Sequence, residues 1–265
     1  MTLRPSNPSD LPAILTIHAH SLPLHTHAIF TNPFRHLHPA SYTAYTSTSP
    51  TNKLLSPSPH VYNLTITTNP QNTPTSWAFW RRNLNPHLTP PSPSPSPTPS
   101  LIPTNTQELE KYPSLSLPRL HLCTLHSLTD ARTHFSSPHY YLSHLLVHPD
   151  HKRKGYGTLL TLWGLYHAAK DGVPVYLVAS TEGEGLYKKL GFRVIGEKSY
   201  PSIDEMSEED RRREEEVLGK EVVEEQFRIV RPKIMVWEGT LEDEMFKDKE
   251  VMDKILAVPW DVQDV

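Results

Sequence analysis

The sequence predicts an α/β chain built around a strand–helix–strand unit, and three observations carry that prediction. Residues 140–147, "YYLSHLLV", are aromatic and branched, end at His148-Pro149, and read as a strand. The chain then places Gly155 and Gly157 after a stretch of 154 residues without a single glycine, and Leu159, Leu162, Trp163 and Tyr166 follow at the i, i+3, i+4, i+7 spacing of a buried helical stripe. Lys170-Asp171-Gly172 supplies the stop, and Val173-Pro174-Val175-Tyr176-Leu177-Val178-Ala179 is nearly all apolar, as a strand covered on both faces and reached by a helical crossover should be.

The flanking elements follow in order. Pro5-Ser6-Asn7-Pro8-Ser9-Asp10 reads as a turn and helix cap, so a short strand precedes a helix carrying Leu11, Ile14, Leu15 and Ile17. Val61-Tyr62-Asn63-Leu64-Thr65-Ile66-Thr67 alternates apolar with polar, and Trp77-Ala78-Phe79-Trp80 ends in Arg81-Arg82, which together predict a strand pair. Residues 83–118 contain the tract "PSPSPSP" and read as an extended, solvated insertion, because proline cannot donate ladder hydrogen bonds and the tract has little apolar surface to bury. Phe192-Arg193-Val194-Ile195 alternates as a further strand. The charged stretch at 199–228 pairs Glu208 with Arg212 and Glu209 with Arg213 at i, i+4, and reads as an exposed helix with a solvated face. Ile234-Met235-Val236-Trp237 is the last strand, and Met245/Phe246, Val251/Met252 and Ile255/Leu256 predict a closing amphipathic helix in a tail at 241–265.

Composition limits the partners. The 265 residues carry 26 Lys plus Arg against 29 Asp plus Glu, a net charge of −3, so bulk electrostatics recruit neither nucleic acid nor an anionic membrane. Met1-Thr2-Leu3-Arg4-Pro5 lacks the apolar region of a signal peptide, and no apolar run approaches the roughly 18 residues of a spanning helix. Cys123 is the single cysteine, which excludes an intrachain disulfide and fits a reducing compartment. A cytoplasmic location is expected, with the nucleus left open.

The chemistry concentrates at "HPDHKRKGYGTLL", residues 148–160. A helix N-terminus offers unpaired N–H groups and partial positive charge, glycines let an anion reach the main chain, and Lys152, Arg153 and Lys154 add charge, so a phosphate guest is expected. It is not a P-loop, because Thr158 and not lysine follows Gly157. Nor is it a dinucleotide fingerprint, because position 160 is leucine where a third glycine is required.

A second segment sharpens the reading. In residues 180–192, "STEGEGLYKKLGF", Thr181 and Glu184 are spaced as a capping box and Gly191 sits where a helix C′ residue belongs. "KRKGYG" at 152–157 followed by "LYKKLGF" at 186–192 resembles the GCN5-related N-acetyltransferases, whose acetyl-CoA loop follows Arg/Gln-x-x-Gly-x-Gly/Ala and whose later helix often ends in Leu-Tyr-x-Lys-Leu-Gly-Phe. Convincing resemblance covers about residues 140–197. It implies a mixed, mostly antiparallel sheet flanked by helices, with a parallel strand pair at the acetyl-CoA site, in one domain at 1–240 with the two insertions. It implies that the main chain of Leu145, Leu146 and Val147 holds the pantetheine arm, and that Lys152, Arg153, Lys154, Gly155, Tyr156, Gly157 and Thr158 surround the pyrophosphate. Tyr187 would be the general acid, since a phenol stays protonated at neutral pH and the leaving thiolate profits from a proton donor.

Departures from the family pattern are Lys152 where arginine or glutamine is usual, Ser180 where asparagine often contacts the pantetheine arm, and the absence of glutamate on the two strands that often supply a base. His144 and His148 are the candidates left for that role. The pairs His18/His20, His25/His27 and His36/His38 do not predict a metal site, because residues two apart on a helix do not share a face and no cysteine accompanies them. The expected activity is transfer of acetyl from acetyl-CoA, without a metal, to a primary amine on a small molecule or peptide. The alternatives are an inactive acyl-CoA-binding module and an interaction scaffold; the acceptor and the oligomeric state are unassigned.

Overall fold

The computed structural model describes residues 1–55, 58, 60–68, 72–83, 111–258 and 260. Seven strands form one sheet: β1 (Thr2–Pro5), β2 (Val61–Thr67), β3 (Pro74–Asn83), β4 (His139–Val147), β5 (Val175–Ala179), β6 (Arg193–Glu197) and β7 (Lys233–Trp237). Their order is β1-β2-β3-β4-β5-β7-β6. Every neighbouring pair is antiparallel except β4–β5, the parallel pair expected from the crossover. The nine helices of the described residues are α1 (Leu11–Ser21), α2 (Thr26–Thr31), α3 (Pro39–Leu55), α4 (Leu117–His134), α5 (Tyr156–Asp171), α6 (Glu184–Lys189), α7 (Glu208–Leu218), α8 (Lys220–Gln226) and α9 (Lys249–Leu256). The fold is the mixed α/β architecture that the sequence predicts.

The crossover helix α5 fixes the centre. Leu159, Leu160, Leu162, Trp163, Leu165 and Ala168 are buried against the apolar side chains of β3, β4 and β5. Gly164 faces Trp80 so closely that a Cβ there would stand 2.2 Å from the indole, so the glycine lets helix and strand approach. The Trp80 indole N–H donates to the Leu160 carbonyl at 3.3 Å. At the C-terminal end Tyr140 donates to Asp171 at 2.6 Å while Arg82 pairs with the same carboxylate at 2.8 Å. Against the opposite face of β3 and β4, Ile14 and Ile17 of α1 and Leu54 of α3 pack on Trp77, Phe79 and Leu146.

Three helices escape the sequence signals, the short α2 and the longer α3 and α4. α3 lies in a stretch rich in Thr, Ser and Pro, with Pro50 inside it, which argues against helix. Within it Thr43, Thr46, Ser47, Thr48 and Thr51 return their hydroxyls to carbonyls three or four residues back, and Leu54 packs with Ile14 and Ile17 of α1. α4 begins at Leu117, capped by Ser116, so the expected insertion at 83–118 ends in a helix start; its residues 84–110 lie outside the described residues. Residues 259 and 261–265 of the tail do too, while the tail's expected helix is α9.

Two local expectations are corrected. α6 starts at Glu184 with Gly183 as N-cap and no capping box: the Ser180 carbonyl accepts from the Gly183 and Glu184 N–H groups and the Ser180 hydroxyl accepts from Gly183. The turn folds one residue earlier than the Thr181/Glu184 spacing suggests, and Glu184 pairs with Lys188 at 2.7 Å.

The charged stretch is helical, but its helix does not simply face solvent. Glu214 of α7 is buried at 4 % exposure and accepts from Ser116 at 2.6 Å and from both Nε and Nη2 of Arg119, at 2.9 and 2.6 Å. Arg119 is completely buried, its guanidinium 5.0 Å from the Phe30 ring and 4.6 Å from that of Phe227. With Cys123 and Tyr200 these rings form a small second core joining α2, α4 and the segment between β6 and β7. Of the two expected surface pairs, Glu209–Arg213 forms, whereas Arg212 turns to Glu216.

Candidate functional site

The site grows from a defect in the sheet. β4 and β5 are paired only at Tyr140–Leu142 against Val175–Leu177, although β4 continues to Val147 and β5 to Ala179. An irregularity lies in the same place, where Phe79 opposes His144 and Trp80 opposes Leu142, so that Ser143 is the extra residue of a bulge. Past it, Leu145, Leu146 and Val147 pair with β3 on one edge and have no strand partner on the other. The two parallel strands therefore open like a V, leaving main-chain hydrogen-bonding groups of β4 exposed to a ligand.

The loop leaving β4 closes the V at one end. Pro149–His151 forms one 3-10 turn, Arg153 takes a left-handed backbone (φ 62°), and Gly155 does so again (φ 80°) as N-cap of α5. None of the N–H groups from Arg153 to Thr158 donates to another described group. Alternation of left-handed with other residues ahead of a sixteen-residue helix makes a concave array of free amides with the helix dipole behind it, which is an anion-binding arrangement. Arg153 and Lys154 make no ion pair among the described residues, whereas Lys152 reaches across to Glu182 in the turn after β5, at 2.7 Å. Ser180 stands at the other lip, its hydroxyl used in the turn that starts α6.

Tyr187 sits on α6 with 7 % of its surface exposed, packed edge to face on Phe192 at 5.6 Å. Its hydroxyl makes no hydrogen bond to a described residue. Burial, reinforced by Tyr141 on β4, pushes the phenol well above its ordinary value, so it remains protonated throughout the physiological range.

Residues 123–194 match the acetyltransferase (GNAT) domain family. That segment is similar to a GNAT domain. An acetyltransferase of Stachybotrys chartarum is 41% identical over 56 residues, 21% of this chain and 24% of that protein, so the chain spans about a quarter of the length of this relative. A crystal structure from Corynebacterium glutamicum, described as a histone acetyltransferase HPA2 and related acetyltransferase, superposes with a TM-score of 0.52 at 17% identity, covering 92% of this chain and 98% of that one, and shows the shared fold. The PaiA N-acetyltransferase of Thermoplasma acidophilum, solved in complex with coenzyme A, superposes with a TM-score of 0.44 at 11% identity, covering 89% and 98%.

In the structure the sequence-predicted residues fall in two groups. Leu145, Leu146 and Val147, the loop from Lys152 to Thr158, and Ser180 all border the opening between β4 and β5. Tyr187 is buried in the main core with Leu177 and Ala179 of β5, under the electrostatic influence of β4 through Tyr141.

On the other face of β4 the structure assembles side chains that sequence reasoning left scattered. His144 lies within 3.1 Å of Lys53 Nζ, its ring stacks on that of His25 at 6.1 Å, and His25 meets His18 at 6.2 Å. Burial, then Lys53 and the neighbouring histidines, hold His144 well below its ordinary value, so it is neutral at physiological pH. His148, the other candidate base, lies at the rim beside His20, with ring centroids 5.0 Å apart. Lys53 is far from His144 in sequence and sits in the threonine- and proline-rich stretch of α3; no local pattern signals their meeting. Among the described residues no group of His, Cys, Asp or Glu is arranged for a metal ion, and no helix is long and apolar enough to cross a membrane.

Proposed function

We propose that this chain is an acetyl-CoA-dependent N-acetyltransferase acting on a primary amine through a ternary complex. The observation that carries the reading is the opening between β4 and β5 flanked by a loop of six free amides, because these are the two surfaces a long acyl-pantetheine pyrophosphate needs. The residues fit that group. The unpaired edge of β4 at Leu145–Val147 matches an amide-bearing arm, and the cationic, left-handed loop at 153–158 matches a diphosphate.

When bound, acetyl-CoA would supply an activated thioester, and the protein's part is to orient it and to manage protons. Tyr187 Oη holds a proton with no competing internal acceptor, ready for a departing thiolate whose conjugate thiol has a pKa of about 8.5. We assign to His144, neutral and at the bulge on β4, the role of taking the proton released by the amine. Cys123 supports direct transfer over a covalent route. It is buried at 1 % exposure in the second core and burial pushes its thiol up to about 12, so no thiolate is available at neutral pH.

The test is calorimetric titration with acetyl-CoA followed by free-thiol release over a panel of amines, comparing wild type with Tyr187→Phe. Binding in both proteins, with amine-dependent release that falls by about a hundredfold or more in the variant, is the expected result. Binding without release on any amine would favour an acyl-CoA-binding module. No binding would refute the reading of the loop.

A further inference from the structure

Four buried or half-buried cations elsewhere in the described fold each meet a carboxylate: Arg4 meets Asp10, Arg82 meets Asp171, Arg119 meets Glu214, and Lys198 meets Asp130, while half-buried Arg35 is held by the Ile29 and Asn32 carbonyls. The face of β4 at the bulge differs from all of these in gathering several basic groups with no carboxylate. Lys53 from α3 contacts His144 at 3.1 Å and Ser49 at 2.8 Å, and lies 5.2 Å over the Phe79 ring, a ring that Arg81 also approaches at 5.8 Å. His25 and His18 complete the cluster from the α1–α2 side, and His20 and His148 stand at its edge. No Asp or Glu among the described residues forms an ion pair or hydrogen bond with Lys53, Arg81, His18, His25 or His144. The nearest recorded acid contact is at the rim, Asp150 against His148 at 3.7 Å.

Basic groups gathered without an anion suppress one another's charge, and an arriving anion reverses that by favouring the protonated forms. Lys53 shows the effect: burial, then Arg81, holds its amine down to about 7, within reach of either protonation state at physiological pH. A second cation brought here meets like charge with no compensating partner, which excludes polyamines and other polycations as well-bound guests.

We propose, resting on the acetyltransferase reading above, that the acceptor is an amine bearing an anionic group, a carboxylate or phosphate, and that Lys53 receives that group beside His144 with Arg81 and His25 around it. The position is what makes the assignment specific. His144 is the bulge neighbour at which β4 leaves β5, so a molecule anchored on Lys53 holds its amine beside the opening in which the thioester is read to lie. The incoming negative charge also makes His144 a better proton acceptor, so the correct substrate strengthens the base it uses.

The experiment measures thiol release with matched amines: an amino acid and its carboxamide, a phosphorylated amine and its alcohol, and a polyamine. The expected result is kcat/KM higher by roughly ten- to a hundredfold for each anionic member over its neutral partner, the advantage of a charge-assisted contact. In Lys53→Met that ratio collapses toward one through KM, and Lys53→Arg restores part of it. A preference for the polyamine, or a ratio unchanged in Lys53→Met, would overturn the proposal.

A second arm keeps the two readings separable. Inorganic phosphate is titrated into wild type and Lys53→Met with coenzyme A saturating the loop, in buffers of different ionisation enthalpy. Proton uptake on phosphate binding, lost in Lys53→Met, supports the anion site even where no amine is acetylated; absence of binding in wild type overturns it whatever the catalytic result.

Discussion

Removing the carboxylate of Glu214 should destabilise the protein severely. In Glu214→Ala, Arg119 is left at 0 % exposure between two phenyl rings, with one remaining acceptor, the Phe30 carbonyl, at 3.3 Å. Ser116, which caps α4, loses the partner it holds at 2.6 Å. Breaking one half of a buried ion pair costs about 3–5 kcal/mol, because the surviving charge has lost its water as well as its partner. For a chain of this size that corresponds to a fall in Tm of roughly 6–20 °C. Thermal unfolding followed by near-ultraviolet circular dichroism measures it, and Arg119→Ala should fall in the same range. Replacing both residues, Arg119→Met with Glu214→Leu, should recover most of the loss, since an apolar pair in that volume carries no uncompensated charge. A loss below about 1 kcal/mol in Glu214→Ala would refute the argument and return the charged segment to the surface role that its sequence suggests.

Four further outcomes are expected. Glu182→Gln releases Lys152 from its surface pair, worth about 0.2–1 kcal/mol, and so tightens acetyl-CoA binding by up to about fivefold in calorimetry, more at low salt than at high; unchanged affinity would mean that Lys152 does not serve the loop. Gly164→Ala places a Cβ 2.2 Å from Trp80 and should cost about 3 kcal/mol in urea unfolding, with wild-type behaviour refuting the close approach. Gly155→Ala puts a side chain on a left-handed residue (φ 80°) in otherwise open space, so strain of about 1 kcal/mol should weaken acetyl-CoA binding without lowering the unfolding midpoint by more than a few degrees. His18, His27 and His167 are each lowered by burial to about 4 from 6.5. The unfolded chain therefore binds protons that the folded chain refuses, and stability should fall as pH drops from about 6.5 toward 4 and level off below; His18→Gln should flatten that slope, and a parallel slope would refute the assignment.

The half of the candidate site proposed for the cofactor was legible because it is local. The glycine pair, the cations before it, the apolar strand after it and the Leu186–Phe192 segment all lie within about fifty residues, and each acts through backbone conformation that its own residues dictate. Gly155 and Gly191 are both left-handed in the structure, as their places at a helix start and a helix end required. The Thr181/Glu184 capping box failed for an equally local reason: the Ser180 carbonyl closes the turn first, and a spacing rule cannot rank two acceptors one residue apart. α3 was missed because its Thr, Ser and Pro content counts against a helix, whereas what covers it is tertiary, Leu54 packing with Ile14 and Ile17 of α1. Glu214 looked like its neighbours, and only its distance from Arg119, 95 residues away in sequence, sets it apart.

The half proposed for the acceptor was hidden for a different reason. Lys53, Arg81, His25 and His144 come from α3, β3, the α1–α2 connection and β4, and no two of them share a motif. Each is unremarkable alone, and what distinguishes them is a relation: they meet, and no carboxylate meets them. Under the proposed function this division has a chemical logic. A cofactor common to many acceptors is held by main chain and a short loop, which substitutions of side chains leave in place, whereas the acceptor is selected by side chains gathered from several separate elements. Changing Lys53 or His25 should therefore move acceptor preference while leaving the affinity for acetyl-CoA where it was, and changing Gly155 should do the reverse. If the two properties moved together in both sets of variants, the separation of the site into a backbone-built cofactor half and a side-chain-built acceptor half would be wrong.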